Sequence, residues 1–465
     1  MKAIAVAGLV LLSGCASFSE DGGFGAVDTA VAERGGGKAQ WLRSTDEANS
    51  AATRVKELLA QPLSAQAAVQ VALLNNRGLQ ARYAELGIAE AELVQASRWS
   101  GPTLGYARLK RGDEIEREAS LFFDVLGLIS IPLATQAQGK RFEAAKQRAA
   151  EQTLRIALET RKAWFQAVAA QETAKYMEDV QLAAEAGADL ARRMAEVGNW
   201  PRLTRDREQA FYADATAQLA RARQAQTAAR EKLTRLMGLW SEDIAYVLPE
   251  RLPELPSAVR EGAELEAQAL RQRLDVQAAR RDAESLAKSL GLTKVTRYVD
   301  LIEIGALRNT ETGRPVQRGW ELELRVPIFD FGGARAARAE YLYMQAVDRV
   351  ADTAVRARSE VREGYGAYRT AFDLARHYRD EVVPLRKRIS EEMLLRYSGM
   401  LASVFELLAD ARDSVASVNA YLLAQRDFWL AEADLQMALT TGSPGATSAA
   451  ASAPAAASGS AAAAH

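Results

Sequence analysis

The chain has 465 residues, with 59 Lys and Arg against 60 Asp and Glu, for a net charge of −1. That balance leaves no basic footprint for nucleic acid. Hydrophobic residues make up 48%, much of it alanine, and mean hydropathy is −0.18. Beyond the N-terminus no apolar run reaches the ~18 residues of a transmembrane helix, while membrane-spanning β-strands, whose signal per segment is weak, stay open.

Residues 1–14 read as a signal peptide, with Lys2 as its positive charge and 3–12 as an apolar stretch too short to cross a bilayer. Leu12-Ser13-Gly14-Cys15 resembles a bacterial lipobox, in which Cys15 is lipidated after cleavage before it. Cys15 is the only cysteine, so no disulfide forms within the chain. Ala16 follows, not the Asp of an inner-membrane retention signal, so the expected anchor is the outer membrane and its lipids. Residues 15–60, polar and Gly-rich at Gly35-Gly36-Gly37, are expected to form an extended lipidated tether.

Residues 61–245 begin with a helix over 64–99, N-capped by Ser64 and stopped by Ser100-Gly101-Pro102. A strand over 103–111 and a second over 117–133 follow, the second with Ala119, Leu121, Phe123, Val125, Ile129 and Ile131 on one face. Pro132 marks the expected strand-to-helix turn. The helix expected over 140–197 would be about 85 Å long at ~1.5 Å per residue. Gly198-Asn199-Trp200-Pro201 ends it, and a helix returns over 202–239.

A Pro-rich linker over 246–262 (Pro249, Pro253, Pro256) leads into 263–440. There a helix is expected over 263–290 and a strand over 295–307. The next strand sets Trp320, Leu322, Leu324, Val326 and Ile328 against Glu321, Glu323 and Arg325. Its charged face belongs in water, since Arg at mid-bilayer costs about 2–4 kcal/mol. Pro327 marks the second strand-to-helix turn. A helix over 334–397, bent at Pro384, runs to Gly399, and a returning helix carries the seam Val415, Val418, Leu422, Trp429. Residues 441–465, a Ser/Ala/Gly/Pro tract, are expected to be a disordered tail.

The second half repeats the first. Pro132 and Pro327 lie 195 positions apart, Gly198 and Gly399 201, and Asn76 and Arg273 197. Two strands per repeat give four, which cannot close a barrel, and open edges are not tolerated in lipid. Three copies would supply twelve strands and twelve long helices.

The duplicated Pro132 and Pro327 turns, the Asn75-Asn76-Arg77-Gly78-Leu79 helix start, the segment from Gly399 to Arg412 and the lipobox together resemble the TolC/OprM family of outer-membrane factors. The resemblance covers about residues 60–440. It implies a mainly α fold with a small β part. A trimeric 12-stranded transmembrane β-barrel, four strands per chain, would continue into a long α-helical periplasmic barrel. It also implies a passive duct in a tripartite efflux or type I secretion system. The duct would be a homotrimer docked to a periplasmic adaptor and an inner-membrane pump, without cofactor, metal or catalytic residue.

In that family, acids just after the second tip form rings at the periplasmic constriction; here they match Glu406 and Asp410, which share a helix face. Arg205 stands opposite Glu406 at the same offset, so Arg205 or Arg207 is expected to pair with Glu406 or Asp410. The tips at Gly198, Trp200, Gly399 and Met400 are expected to meet the adaptor. The rival readings are a structural coiled-coil lipoprotein, against which the 320–328 strand argues, and a periplasmic adaptor, which would carry one hairpin. An enzyme would need more than His377, His465 and a lipobox cysteine.

Overall fold

A computed structural model describes residues 17–442; the signal peptide, Cys15 and nearly all of the 441–465 tail lie outside the described residues. Among the described residues the chain is mainly helical, with one four-stranded sheet. It divides into two compact units, each drawing on both halves of the sequence.

The first unit comprises residues 17–30 with 78–152 and 274–355. It holds β1 (Thr103–Arg111), β2 (Glu114–Asp124), β3 (Leu301–Glu311) and β4 (Gln317–Arg325), all antiparallel in the order β1-β2-β3-β4. The two hairpins join through β2 and β3, with Leu121 opposite Ala306 and Phe123 opposite Ile304. β1 has the bounds read from the sequence, whereas β2 stops well short of 133 and β3 starts after 295.

Asp124 ends β2. Its Oδ1 accepts the Gly127 N–H at 2.7 Å and so opens a 72-residue helix, Val125–Glu196. Pro132 therefore lies inside that helix and is not the strand-to-helix turn; Val125 and Ile129, read as alternate strand positions, are one helical turn apart. Pro327 does lie in the connection after β4. There Asp330 accepts from the Gly332 and Ala334 N–H groups before the helix Gly333–His377. Gly332 has φ +69, and a Cβ there would sit 2.2 Å from the Arg297 carbonyl oxygen, so only glycine fits.

The second unit comprises 31–77, 153–273 and 356–442. Residues 17–60 are not an extended tether. They hold α1 (Phe24–Glu33) and α2 (Thr45–Leu59), the latter started by a Ser44/Glu47 capping box. Ala51 and Val55 of α2 are buried in the second unit's core with Leu63, Trp164, Val168, Leu233 and Met237. Trp164 Nε1 donates to the Leu63 carbonyl at 2.7 Å, which satisfies the one polar group the indole brings inside.

Each expected first helix is broken in two. α3 (Ala65–Asn75) and α4 (Arg77–Ala96) meet at Asn76, and α7 (Leu265–Gln272) and α8 (Leu274–Thr296) meet at Arg273. Between them run α5, the 72-residue helix, and α6 (Arg202–Met237). The Pro-rich linker is not helical or extended in a sheet, but it is held. Gln425 Nε2 and Trp429 Nε1 both donate to the Pro253 carbonyl, and Glu172 accepts the Leu252 N–H.

α9 (Gly333–His377) passes through a π-helical turn, Tyr378–Val382, into α10 (Val383–Ser398), so Pro384 sits in the first turn of α10. The wider turn removes the clash between a proline ring and the carbonyl four residues back. α11 (Val404–Thr440) then returns.

Candidate functional site

The sheet has two chemically opposite faces. Partners across the ladders share a face, so the register assigns every strand residue. One face carries Leu104 and Tyr106 of β1, Leu121 and Phe123 of β2, Ile302, Ile304 and Ala306 of β3, and Trp320, Leu322 and Leu324 of β4. Most of it is open to solvent in the single chain, with Tyr106 70% and Trp320 76% exposed. The other face carries all eight strand acids: Glu114, Glu116, Glu118, Asp124, Glu303, Glu311, Glu321 and Glu323.

Exposed apolar side chains continue past the strands at Ile129, Ile328, Phe329 and Phe331. Aromatic residues stand at both ends of the apolar band, Tyr106 and Trp320 toward the hairpin turns and Trp99, Tyr298, Phe329 and Phe331 toward the helices. A band of this kind, edged with aromatic rings, is the pattern of a lipid-facing strand surface. β1 and β4 leave the two edges of the sheet unpaired.

The hairpin tips lie in the second unit. Gly198 is left-handed at φ +76, and the Asn199 N–H returns to the Met194 carbonyl, the closing bond of a Schellman cap. At the second tip Gly399 is not the left-handed residue, since its φ is −82; Met400 is, at φ +60, with the Leu401 N–H returning to Arg396. Met400 is 95% exposed. Trp200 is not a free surface ring. It is half-buried against Phe405, with centroids 4.8 Å apart, and ties one tip to the other.

Within one chain Arg205 and Arg207 do not pair with Glu406 or Asp410. Glu406 is taken up by a capping box: its carboxylate accepts from the Ser403 N–H at 2.7 Å and from Ser403 Oγ at 2.9 Å. Those bonds hold its carboxyl below the usual glutamate range. Asp410 is buried and accepts from Ser390 Oγ at 2.6 Å. Arg205 pairs with its neighbour Asp206, and Arg207 is exposed with no ion pair among the described residues.

The bridge between the tips has the opposite sense: Glu208, buried on the first hairpin, accepts from Arg412 of the second. The Arg412 guanidinium also lies over the Phe211 ring, 4.7 Å from its centroid. No local pattern marks Glu208, whose partner is 204 positions away. Among the described residues no cluster of His, Cys, Asp or Glu is placed to hold a metal ion, and no helix is long and apolar enough to cross a membrane.

No protein-family model and no curated protein sequence matches the chain. Solved structures do. A membrane protein from Pseudomonas aeruginosa superposes with a TM-score of 0.68 at 18% identity, over 84% of this chain and 90% of that one. The CmeC outer membrane channel of Campylobacter jejuni gives 0.65 at 15% identity, over 83% and 85%. The open state of the MtrE outer membrane channel of Neisseria gonorrhoeae gives 0.64 at 16% identity, over 83% and 88%. The chain shares the fold of these outer-membrane channels.

Proposed function

We propose that three copies of this chain form a passive exit duct through the outer membrane, anchored at Cys15 and fed by an inner-membrane pump through a periplasmic adaptor. The sheet carries this reading. A surface acidic on one side and apolar on the other, with the apolar side left uncovered, suits a wall between water and lipid. Two unpaired edges cannot sit in lipid, so the sheet must close on further copies; three supply twelve strands, within the range of known barrels. The fold shared with outer-membrane channels supports the same reading.

On this reading the chain is an internal duplication, 61–245 and 263–440, each copy giving one hairpin of strands and one of helices. The paired helix breaks at Asn76 and Arg273 support that division. The tips around Gly198, Trp200, Gly399 and Met400 face the adaptor, and the exposed Met400 and Leu401 offer it apolar surface. The Glu406 carboxylates form a ring at the periplasmic mouth, where fixed charge favours cations. Transport needs no catalytic residue or cofactor. A coiled-coil lipoprotein or an adaptor would leave the two-faced sheet unexplained.

The test is conductance of the detergent-extracted full-length protein in planar bilayers. Discrete channel openings support the duct. A folded protein that never conducts and never partitions into the bilayer overturns it.

A further inference from the structure

The apolar face of the sheet does not stay apolar. Toward the hairpin turns it carries Arg108 and Lys110 of β1, Arg117 of β2, Arg308 of β3 and Arg318 of β4, and no acid. All eight strand acids lie on the opposite face, and none of these five cations has an ion-pair partner among the described residues. Two pairs are set directly against each other: Arg108 opposite Arg117 in the first hairpin, Arg308 opposite Arg318 in the second.

Like charges in directly opposed positions destabilise a sheet, and each hairpin does this once on the same face. The Tyr106 and Trp320 rings lie at the boundary, Tyr106 in the row of Arg308 and Arg318 and Trp320 one row nearer the helices. That is the level of a membrane–water interface.

We propose that these opposed arginines form a binding row for phosphate-bearing lipid headgroups of the outer leaflet. The row rests on the barrel reading above. With the helices periplasmic, the turn end of the sheet lies in the outer leaflet, and the arginines flank the headgroups while Leu104, Leu121, Ile304 and Leu322 meet the acyl chains. A phosphate between two opposed guanidiniums accepts charge-assisted bonds from both and removes their repulsion.

The experiment uses the full-length protein in neutral detergent, as wild type and as R108Q/R117Q/R308Q/R318Q. Retention of a bis-phosphorylated glycolipid, of zwitterionic phosphatidylcholine and of inorganic phosphate is measured by native mass spectrometry, with bilayer insertion and conductance recorded in parallel. The wild type is expected to retain the phosphorylated glycolipid selectively. Removing four interfacial cations is expected to weaken that retention roughly a hundredfold or more. Conductance is expected to persist in the variant.

A conducting wild type that binds all lipids alike, or a variant that retains the glycolipid unchanged, overturns the row and leaves the duct. Equal binding of inorganic phosphate makes it an ion site and overturns the lipid assignment. Failure of the wild type to insert at all overturns the row together with the duct.

Discussion

Asn76 and Arg273, 197 positions apart, do the same work at two breaks in helix. Each has extended backbone between two helices, and each reaches a carbonyl at the end of a returning helix. Asn76 Nδ2 donates to Leu236 at 2.8 Å, and Arg273 Nη1 donates to Ala438 at 3.2 Å. The final carbonyls of α6 and α11 have no partner within their own helices, so the break residue satisfies what the helix end leaves open.

The two differ in what they cost to remove. Arg273 is 1% exposed and also bonds Glu360 at 2.7 Å. Arg273→Met takes the cation from the half-buried Glu360 carboxylate and is expected to destabilise the protein by about 2–4 kcal/mol. Asn76→Ala loses a neutral bond and is expected to cost about 1–2 kcal/mol. Chemical denaturation followed by tryptophan fluorescence ranks them, and Arg273→Met/Glu360→Leu should recover part of the larger loss. Equal effects would remove the distinction.

Glu208 and Arg412 are expected to hold the two tips together. Either Glu208→Gln or Arg412→Gln should weaken the bridge by about 1–3 kcal/mol and raise conductance in planar bilayers, while the exchanged pair Glu208→Arg/Arg412→Glu restores closure. Arg205→Gln and Arg207→Gln should leave conductance unchanged, because neither side chain reaches the other hairpin. A conductance rise on losing Arg207 alone would return the latch to the arrangement expected from the sequence.

The contrast between these residues shows what a sequence of this kind can tell. The sequence placed β1 to the residue and put Trp320, Leu322 and Leu324 on one face, but β4 ends at Arg325, before the Val326 and Ile328 read as its continuation. Period-two alternation failed past Asp124, because Val125, Ile129 and Ile131 fit a strand period as well as a helix, and the decisive signal was the Asp124 side chain capping Gly127. Gly35-Gly36-Gly37 suggested a loose tether, yet the Ser44-to-Glu47 capping box was in plain view. Glu208 with Arg412 needed a long-range pairing that no local pattern carries, whereas the opposed arginines across each hairpin needed only the register set by the turn between their strands.

Met400 holds a left-handed conformation that side chains other than glycine adopt at a cost. Met400→Gly is expected to slow amide exchange in the 396–401 turn, corresponding to about 1 kcal/mol of relieved strain, while lowering affinity for a periplasmic adaptor through loss of an exposed apolar chain. Faster exchange in the variant would show that the Met400 side chain stabilises the turn.

Glu406 makes the second tip sensitive to acid. The Ser403 N–H and hydroxyl hold its carboxyl below the ordinary glutamate value. Such a group stabilises the fold above the unfolded value, and the contribution disappears as pH falls through the folded one. Protection of the 403–408 amides, measured against their intrinsic exchange rate at each pH, should therefore fall as the buffer is taken from neutral pH through the carboxylate range. Glu406→Gln should show lower protection at neutral pH and little further change in protection on acidification. An unchanged acid response in that variant would place the titrating group elsewhere.

The acidic face of the sheet gives the sharpest test of which side faces water. Glu118, Glu303, Glu321 and Glu323 share that face with Arg111 and Arg325, so fixed negative charge prevails along it. If it lines the lumen, the pore prefers cations, and Glu321→Gln/Glu323→Gln shifts the reversal potential in a salt gradient toward zero while the protein still inserts. The same charge on the lipid side would cost far more than a folded barrel tolerates, and so would Leu322→Arg, at about 2–4 kcal/mol near mid-bilayer. The expected pattern is thus a selectivity change from the glutamines and an assembly defect from the arginine. The reverse pattern would turn the sheet inside out.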